Sequence, residues 1–230
     1  MLPETLTDKL FAMKSSMYQY IRFALAIFTS LVGAAALSAS KGLVPVPEKS
    51  NHIIVFIGDS LAAGYGVRKE EAFPEVTEQI LKAHGYEVKV INGGISGSVT
   101  AGADRRVEWF LKAKPEIVVL ELGGNDGLKG TPIDVIKKNL RAALEVCRSH
   151  KVKTLLVGMR LYANLGQDYA KKFENIYIEL SREMKVQLLP FLLADVALKP
   201  ELNQTDMKHP NAKGHAIVAK SLASALEKML

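Results

Sequence analysis

From His52 onward the chain alternates short apolar runs with longer segments of helical spacing, and this alternation restricts the fold more than any other feature. HIIVFIGD is apolar and β-branched and ends in turn residues. FPEVTEQILKAHG (Phe73–Gly85) has helical spacing and a terminal glycine. YEVKVINGG alternates like a strand, AGADRRVEWFLKAKP reads as a helix stopped before Pro115, and EIVVLELGGND reads as a buried strand running into glycines. TPIDVIKKNLRAALEVCRSH reads as a long amphipathic helix with Thr131 as its cap and Pro132 in its first turn. KTLLVGMRL, DYAKKFENIYIELSREMK, VQLLPFLLADV and NAKGHAIVAKSLASALEKML continue as strand, helix, strand and helix, with Pro190 weakening the fifth strand. Five such alternations predict an α/β fold with one doubly wound, mostly parallel five-stranded sheet and helices on both faces. Ligands bind such sheets beyond the C-terminal ends of the strands.

The segment before this pattern is of a different kind. Phe23 to Ser40, FALAIFTSLVGAAALSAS, is uncharged, follows Lys14 and Arg22, and ends in small residues. That is the pattern of a secretory leader, with an uncleaved membrane anchor as the alternative. No cysteine lies near it, which excludes a lipid-modified N-terminus. Residues 1–40 are therefore expected to be a leader, 41–51 (KGLVPVPEKSN) a linker, and 52–230 a single domain. The net charge is +6, but no Lys/Arg block of five accompanies it, which argues for a mildly basic surface and against a nucleic-acid partner. The one cysteine, Cys147, lies in a helical pattern and reads as a packed small residue.

The expected strand ends carry a particular set of residues. The first offers Ser60, the second Gly97 in NGGISGS, the third Asn125 in GGND, and TDMKHPNAKGH places Asp206 three residues before His209. Each type suits acyl transfer. Ser60 can attack a carbonyl if His209 takes its proton, and Asp206 can hold the imidazole in one tautomer. The spacing of Asp206 and His209 predicts that both lie on one side of a helical turn. The N–H groups of Ser60 and Gly97 and the side-chain amide of Asn125 can donate to an oxyanion. A glycine at 97 lets the backbone approach a substrate closely.

Simpler readings exist for the neighbours of these residues. Asp59 competes with Asp206 as the acid of a triad, but its side chain should point away from that of Ser60, so it reads as a turn or hydrogen-bonding group. Asp126 cannot donate when ionised, which favours Asn125 as the donor. Ser96 lacks the G-x-S-x-G pattern of a nucleophile elbow because Ser98 takes the last position. His52, His84 and His150 fall at element ends and are expected to face solvent, whereas His215 packs or faces water within the last helix. No His, Asp or Glu pair has convincing metal spacing, and Gly64–Gly66 lacks the Lys-Ser/Thr of a phosphate loop.

The blocks GDSL, GGND and DMKHP resemble those of the SGNH or GDSL hydrolases, in the positions of Ser60, Gly97, Asn125 and His209, with Asp206 completing the triad. The resemblance runs from about Ile53 to the C-terminus. The strings GDSLAAGYG, ELGGNDGLKG, RLYANLG and LLPFLL are similar to the bacterial thioesterase I, lysophospholipase and arylesterase subfamily. That resemblance implies a three-layer α/β/α sandwich with no metal or cofactor. It implies a periplasmic enzyme acting on acyl-thioesters, aryl esters and lysophospholipids, and the chain is expected to act on acyl esters as a monomer with transient contact to a membrane surface. It also implies that Gly127 and Leu128, in a loop beside the site, and Leu161 and Tyr162, in the segment flanking an acyl pocket, touch substrate. RLYANLG departs from the subfamily's RLPANYG at Tyr162 and Leu165, so substrate preference is not carried over in detail. Two other functions suit the same fold: an O-acetyl esterase of carbohydrate or peptidoglycan, and a non-catalytic binding protein.

Overall fold

The computed structural model describes residues 52–161 and 166–230. The leader, the linker, Tyr162 and Leu165 lie outside the described residues.

Five strands, β1 (His52–Ile57), β2 (Val88–Asn92), β3 (Ile117–Leu120), β4 (Lys153–Val157) and β5 (Gln187–Leu189), form one sheet in the order β2-β1-β3-β4-β5. Every pairing is parallel, with Ile54 opposite Val90 and Ile117 and Val119 opposite Leu155. Residues Ile54–Ile57 of β1 and all of β3 are buried without alternation, as both faces of the sheet are covered.

A one-turn helix α1 (Ser60–Ala63) follows β1, and α2 (Phe73–Ala83) leads to β2. Helix α3 (Ala103–Phe110) precedes β3, and α4 (Gly124–Leu128) and α5 (Ile133–Ser149) precede β4. Helix α6 (Gln167–Met184) precedes β5, and α7 (Ala212–Glu227) follows it. The helices pack as two groups, α2 with α7, and α3, α5 and α6 in succession. Right-handed crossovers produce this division: the chain moves one way from β1 to β2 and the other way from β3 onward. The reversal leaves a crevice between the C-terminal ends of β1 and β3, where Ser60 and Asn125 follow their strands.

The structure differs from the sequence-based expectations at several element ends. β5 stops at Leu189 because Pro190 has no N–H for a parallel ladder, so VQLLPFLLADV is a strand only in its first part. Helix α5 begins at Ile133, with Pro132 at the cap position, so Thr131 is not its cap. Thr131 instead accepts a hydrogen bond at its carbonyl from the Tyr169 hydroxyl (2.6 Å). The helix before Pro115 tightens into a 3-10 turn at Leu111–Ala113. His52 is half-buried, its Nδ1 hydrogen-bonded with Glu116 Oε2, rather than solvent-facing. Cys147 is packed in the core, and His215 is buried, its Nδ1 accepting the Phe73 N–H (3.1 Å) while the two rings stack.

Candidate active site

β1 delivers the chain into Gly58-Asp59-Ser60, where space is limited. A Cβ on Gly58 would lie 2.3 Å from Glu121 Oε2 and 2.5 Å from the Ala62 methyl, so only glycine fits. Asp59 is the N-cap of α1, its Oδ1 accepting the Leu61 N–H at 2.9 Å, and Gly64 closes the turn in the left-handed region. The Asp59 N–H donates to Glu121 Oε2 (3.2 Å). Arg106 Nη2 donates to the carbonyls of Gly58 (3.0 Å) and Gly93 (2.5 Å), tying together the chain beyond the ends of β1 and β2. Ser60 is thus presented at the head of a short, tightly held turn.

His209 reaches Ser60 from the other side. Its Nε2 is 2.9 Å from Ser60 Oγ, and its Nδ1 is 2.6 Å from Asp206 Oδ2. Asp206 and His209 do not share a helical turn as expected. Their segment is irregular, with Met207 at φ 58°, and Asp206 shapes it by accepting the N–H groups of Lys208 (2.9 Å) and His209 (3.0 Å) at Oδ1. Such local side-chain-to-backbone bonds compete with helix formation, which explains the difference. The loop is anchored by Gln204, whose N–H bonds the His209 carbonyl (2.8 Å) and whose Nε2 bonds the Tyr65 carbonyl (2.6 Å). Burial acts to raise the Asp206 pKa, but the hydrogen bonds from the His209 ring and from the two backbone N–H groups prevail and hold it at about 2. An ionised Asp206 requires the proton on His209 Nδ1, leaving Nε2 to accept from Ser60.

The three groups expected to donate to an oxyanion lie on the segments that follow β1, β2 and β3. The N–H groups of Ser60 and Gly97 have no acceptor among the described residues. Gly97 has φ 78° and open space where a Cβ would stand. Asn125, in the first turn of α4, directs Nδ2 to the Ser98 carbonyl (2.9 Å) and to Asp59 Oδ2 (3.1 Å). The turn carrying Gly97 is fixed at both ends. The Ile95 N–H bonds the Gly58 carbonyl (3.2 Å), and Asp126 accepts both the N–H (2.8 Å) and the hydroxyl (2.7 Å) of Thr100.

Asp59 has the hydrogen-bonding role expected for it, in a setting that sequence reasoning did not anticipate. Burial dominates, raising its pKa to about 6 against the opposing pull of the Leu61 N–H, His209 and Arg106. Glu121 is fully buried, and burial together with the charge of Asp59 pushes its carboxyl well up. Glu121 and Arg106 were missed as supports of the site. The available signal for Glu121 was a lone carboxylate within the otherwise apolar run IVVLELGG.

An apolar cavity of about 260 Å³ opens at Leu61, the residue after Ser60, and is lined also by Leu128, Met159, Leu161, Phe191 and Leu193 among others. Arg160 lies over the Phe191 ring (5.1 Å) and pairs with Glu174 (2.7 Å), and Lys208 also borders the cavity. Of the residues expected to touch substrate, Leu128 and Leu161 line this cavity. Gly127 is buried beneath them, where a Cβ would lie 2.7 Å from Leu161. Among the described residues no cluster of His, Cys, Asp or Glu could hold a metal ion.

Comparisons with known proteins bear on the same region. Residues 56–217 match the GDSL-like lipase/acylhydrolase family. The chain is 36% identical over 184 residues to an arylesterase of Vibrio mimicus, across 80% of this chain and 92% of that protein. It is 34% identical over 178 residues to thioesterase 1/protease 1/lysophospholipase L1 of Escherichia coli, across 77% of this chain and 84% of that protein. The crystal structure of TesA superposes with a TM-score of 0.75 at 30% identity, covering 78% of this chain and 100% of that one.

Proposed function

The chain belongs to the GDSL-like lipase/acylhydrolase family and is an ester hydrolase, and on that premise we propose that it is a serine esterase of acyl chains using Ser60, His209 and Asp206. The observation that carries this reading is the continuous hydrogen-bonded line from Ser60 Oγ through both His209 nitrogens to an ionised Asp206. His209 Nε2 takes the Ser60 proton as Oγ bonds to the ester carbonyl carbon, and Asp206 stabilises the resulting imidazolium. The carbonyl oxygen becomes an oxyanion, bound by the N–H groups of Ser60 and Gly97 and by Asn125. His209 then gives its proton to the departing alcohol. A water molecule repeats the sequence on the acyl-enzyme, releasing the acid and restoring Ser60.

The apolar cavity is larger than an acetyl group requires, which favours acyl chains over O-acetyl groups as the natural acyl donor. Lysophospholipids and acyl-thioesters are proposed as further substrates of the same site, acted on by a monomer that touches membrane surfaces only in passing. The N-terminal 40 residues are proposed to direct export to the periplasm, leaving 52–230 as the working domain; N-terminal sequencing of the exported protein checks this. Among the described residues no helix is long and apolar enough to cross a membrane.

The central test is Ser60→Ala assayed on p-nitrophenyl butyrate. Hydrolysis is expected to fall at least ten-thousandfold, on the order of other triad deletions, with an unchanged circular dichroism spectrum. Activity surviving in a folded Ser60→Ala protein would remove the assignment.

A further inference from the structure

The side-chain amide of Asn125 has two N–H bonds, and both are engaged. One goes to Asp59 Oδ2 at 3.1 Å and the other to the Ser98 carbonyl at 2.9 Å. An oxyanion donor must release one of them. The two acceptors differ in how firmly they are held. Ser98 sits in a turn with Gly97, its N–H bonded to the Ile95 carbonyl (3.1 Å), and the space around Gly97 is open. Asp59 is only 3% exposed. Its Oδ1 is committed to the Leu61 N–H and its own N–H to Glu121. The Ser98 carbonyl, in the more exposed middle of that turn between its anchored ends at Ile95 and Thr100, is therefore the partner that can yield.

We propose that Asp59 is the positioning residue of the oxyanion hole, its carboxylate holding Asn125 by one N–H so that the other turns from the Ser98 carbonyl to the oxyanion when substrate binds. The inference rests on the reading of Ser60 as nucleophile. A helix cap alone does not need this carboxylate. Oδ1 performs the capping, and an asparagine would cap α1 equally well. At Oδ2 the carboxylate is required, because an asparagine there presents an NH2 group to the NH2 of Asn125. Asp59→Asn is thus an isosteric change that keeps the cap and removes the anchor.

The surroundings of Asp59 make the anchor sensitive to pH. It is faced by Glu121 from the end of β3, Arg106 from α3, Asn125 and Asp126 from α4, and His209 from the C-terminal loop. Burial brings its protonation to about pH 6. Below that pH a proton on Oδ2 replaces the acceptor with a donor and releases the amide. Asp59 therefore contributes one proton to the acid limb of the rate.

The experiment measures kcat and KM for p-nitrophenyl butyrate from pH 4.5 to 8 in wild type, Asp59→Asn, Asn125→Ala and the double variant. Asp59→Asn is expected to lower kcat about a hundredfold, in the range of a lost oxyanion donor, with KM nearly unchanged. Its acid limb should lose one proton relative to wild type. In the Asn125→Ala background the same substitution should cost nothing further, because both changes remove one interaction. A full additional loss in that background, an unchanged kcat, or an acid limb as steep as that of wild type would overturn the inference. If Asp59→Asn does not fold, Asn125→Ala decides alone: its limb must lose one proton relative to wild type with Asp59 intact, and a limb as steep as that of wild type counts against the proposal. Ser60→Ala runs in parallel. Its inactivity combined with wild-type kcat in Asp59→Asn would reject this inference and leave the nucleophile assignment standing.

Discussion

Ser60 and His209 meet across 2.9 Å, yet the two sides of that contact are built on different principles. The side of Ser60, the proposed nucleophile, is interior. Gly58, Asp59 and Ser60 leave a buried strand, and their backbone is bonded to Glu121 and Arg106, more than 40 residues away in sequence. The side of His209, the proposed base, is a surface loop. Asp206 and His209 have side chains 37% and 20% exposed, and among the described residues Asp206 bonds to positions within three of it. The consequence for charge is direct. Asp59 and Asp206 are the same residue type, but burial lifts one to about 6 while local hydrogen bonds hold the other at about 2. A carboxylate meant to steady an imidazolium must stay ionised, and the exposed, bonded loop achieves that. A carboxylate meant to hold a backbone turn can be buried at a cost.

This contrast predicts that changes on the base side cost activity with little effect on stability, whereas changes on the interior side cost stability as well. The largest effect is expected for His209→Ala, a loss in kcat of about ten-thousandfold or more. Its urea midpoint should stay close to that of wild type. A large drop in midpoint would show that the loop is part of the folding core and would break the contrast.

The next effect concerns His215, six residues beyond His209 but inside the core. Burial, aided by the charge of His209, lowers its pKa to about 4. The unfolded chain binds this proton near pH 6.5 and the folded protein does not, so stability falls as pH drops from 6.5 to 4, by up to about 3 kcal/mol. Asp59 acts in the opposite direction. Its folded pKa lies above the unfolded value, so it favours folding progressively as pH falls from about 6 to about 4. His215→Asn, which can still accept the Phe73 N–H, should remove the first contribution. Urea titrations at pH 7 and pH 4 should then show the variant gaining on wild type toward acid. Parallel pH profiles would mean that His215 is not held neutral by its burial.

The smallest effect, and the sharpest probe of the interior side, is Gly58→Ala. A methyl there must displace Glu121 or Ala62, an overpacking cost of about 1–3 kcal/mol. Activity should fall with it, because the same turn carries Ser60. Full stability with full activity would show that the nucleophile turn has slack not evident from its packing.

Much of the fold was legible along the chain. Parallel strands buried on both faces read as uninterrupted apolar runs, and the intervening helices carry their own periodicity, so the alternation identified all five strands. The misjudged ends involve prolines and side-chain bonds. Pro190 cuts β5 short, and Pro132 takes the cap position from Thr131. Asp206 bends its own backbone out of the helical turn that its spacing with His209 suggested. The residues proposed for the chemistry are each ordinary turn types, and they stood out only as a set drawn from four distant segments expected at one edge of the sheet. Glu121, Arg106 and the engagement of Asp126 with Thr100 did not, since a charged residue in a sequence does not declare its burial or its partner.

The sequence alone determined the order of strands and helices, the parallel sheet with its crevice at the strand ends, and the residue types available there. Those follow from short-range periodicity and turn chemistry, which each segment carries within itself. Only the tertiary structure decided which carboxylate is buried and which is ionised, which acceptors hold the Asn125 amide, and how much apolar space opens at Leu61. Each of these depends on groups brought together from distant segments, and a carboxylate's pKa responds to that assembled environment rather than to its neighbours in the chain.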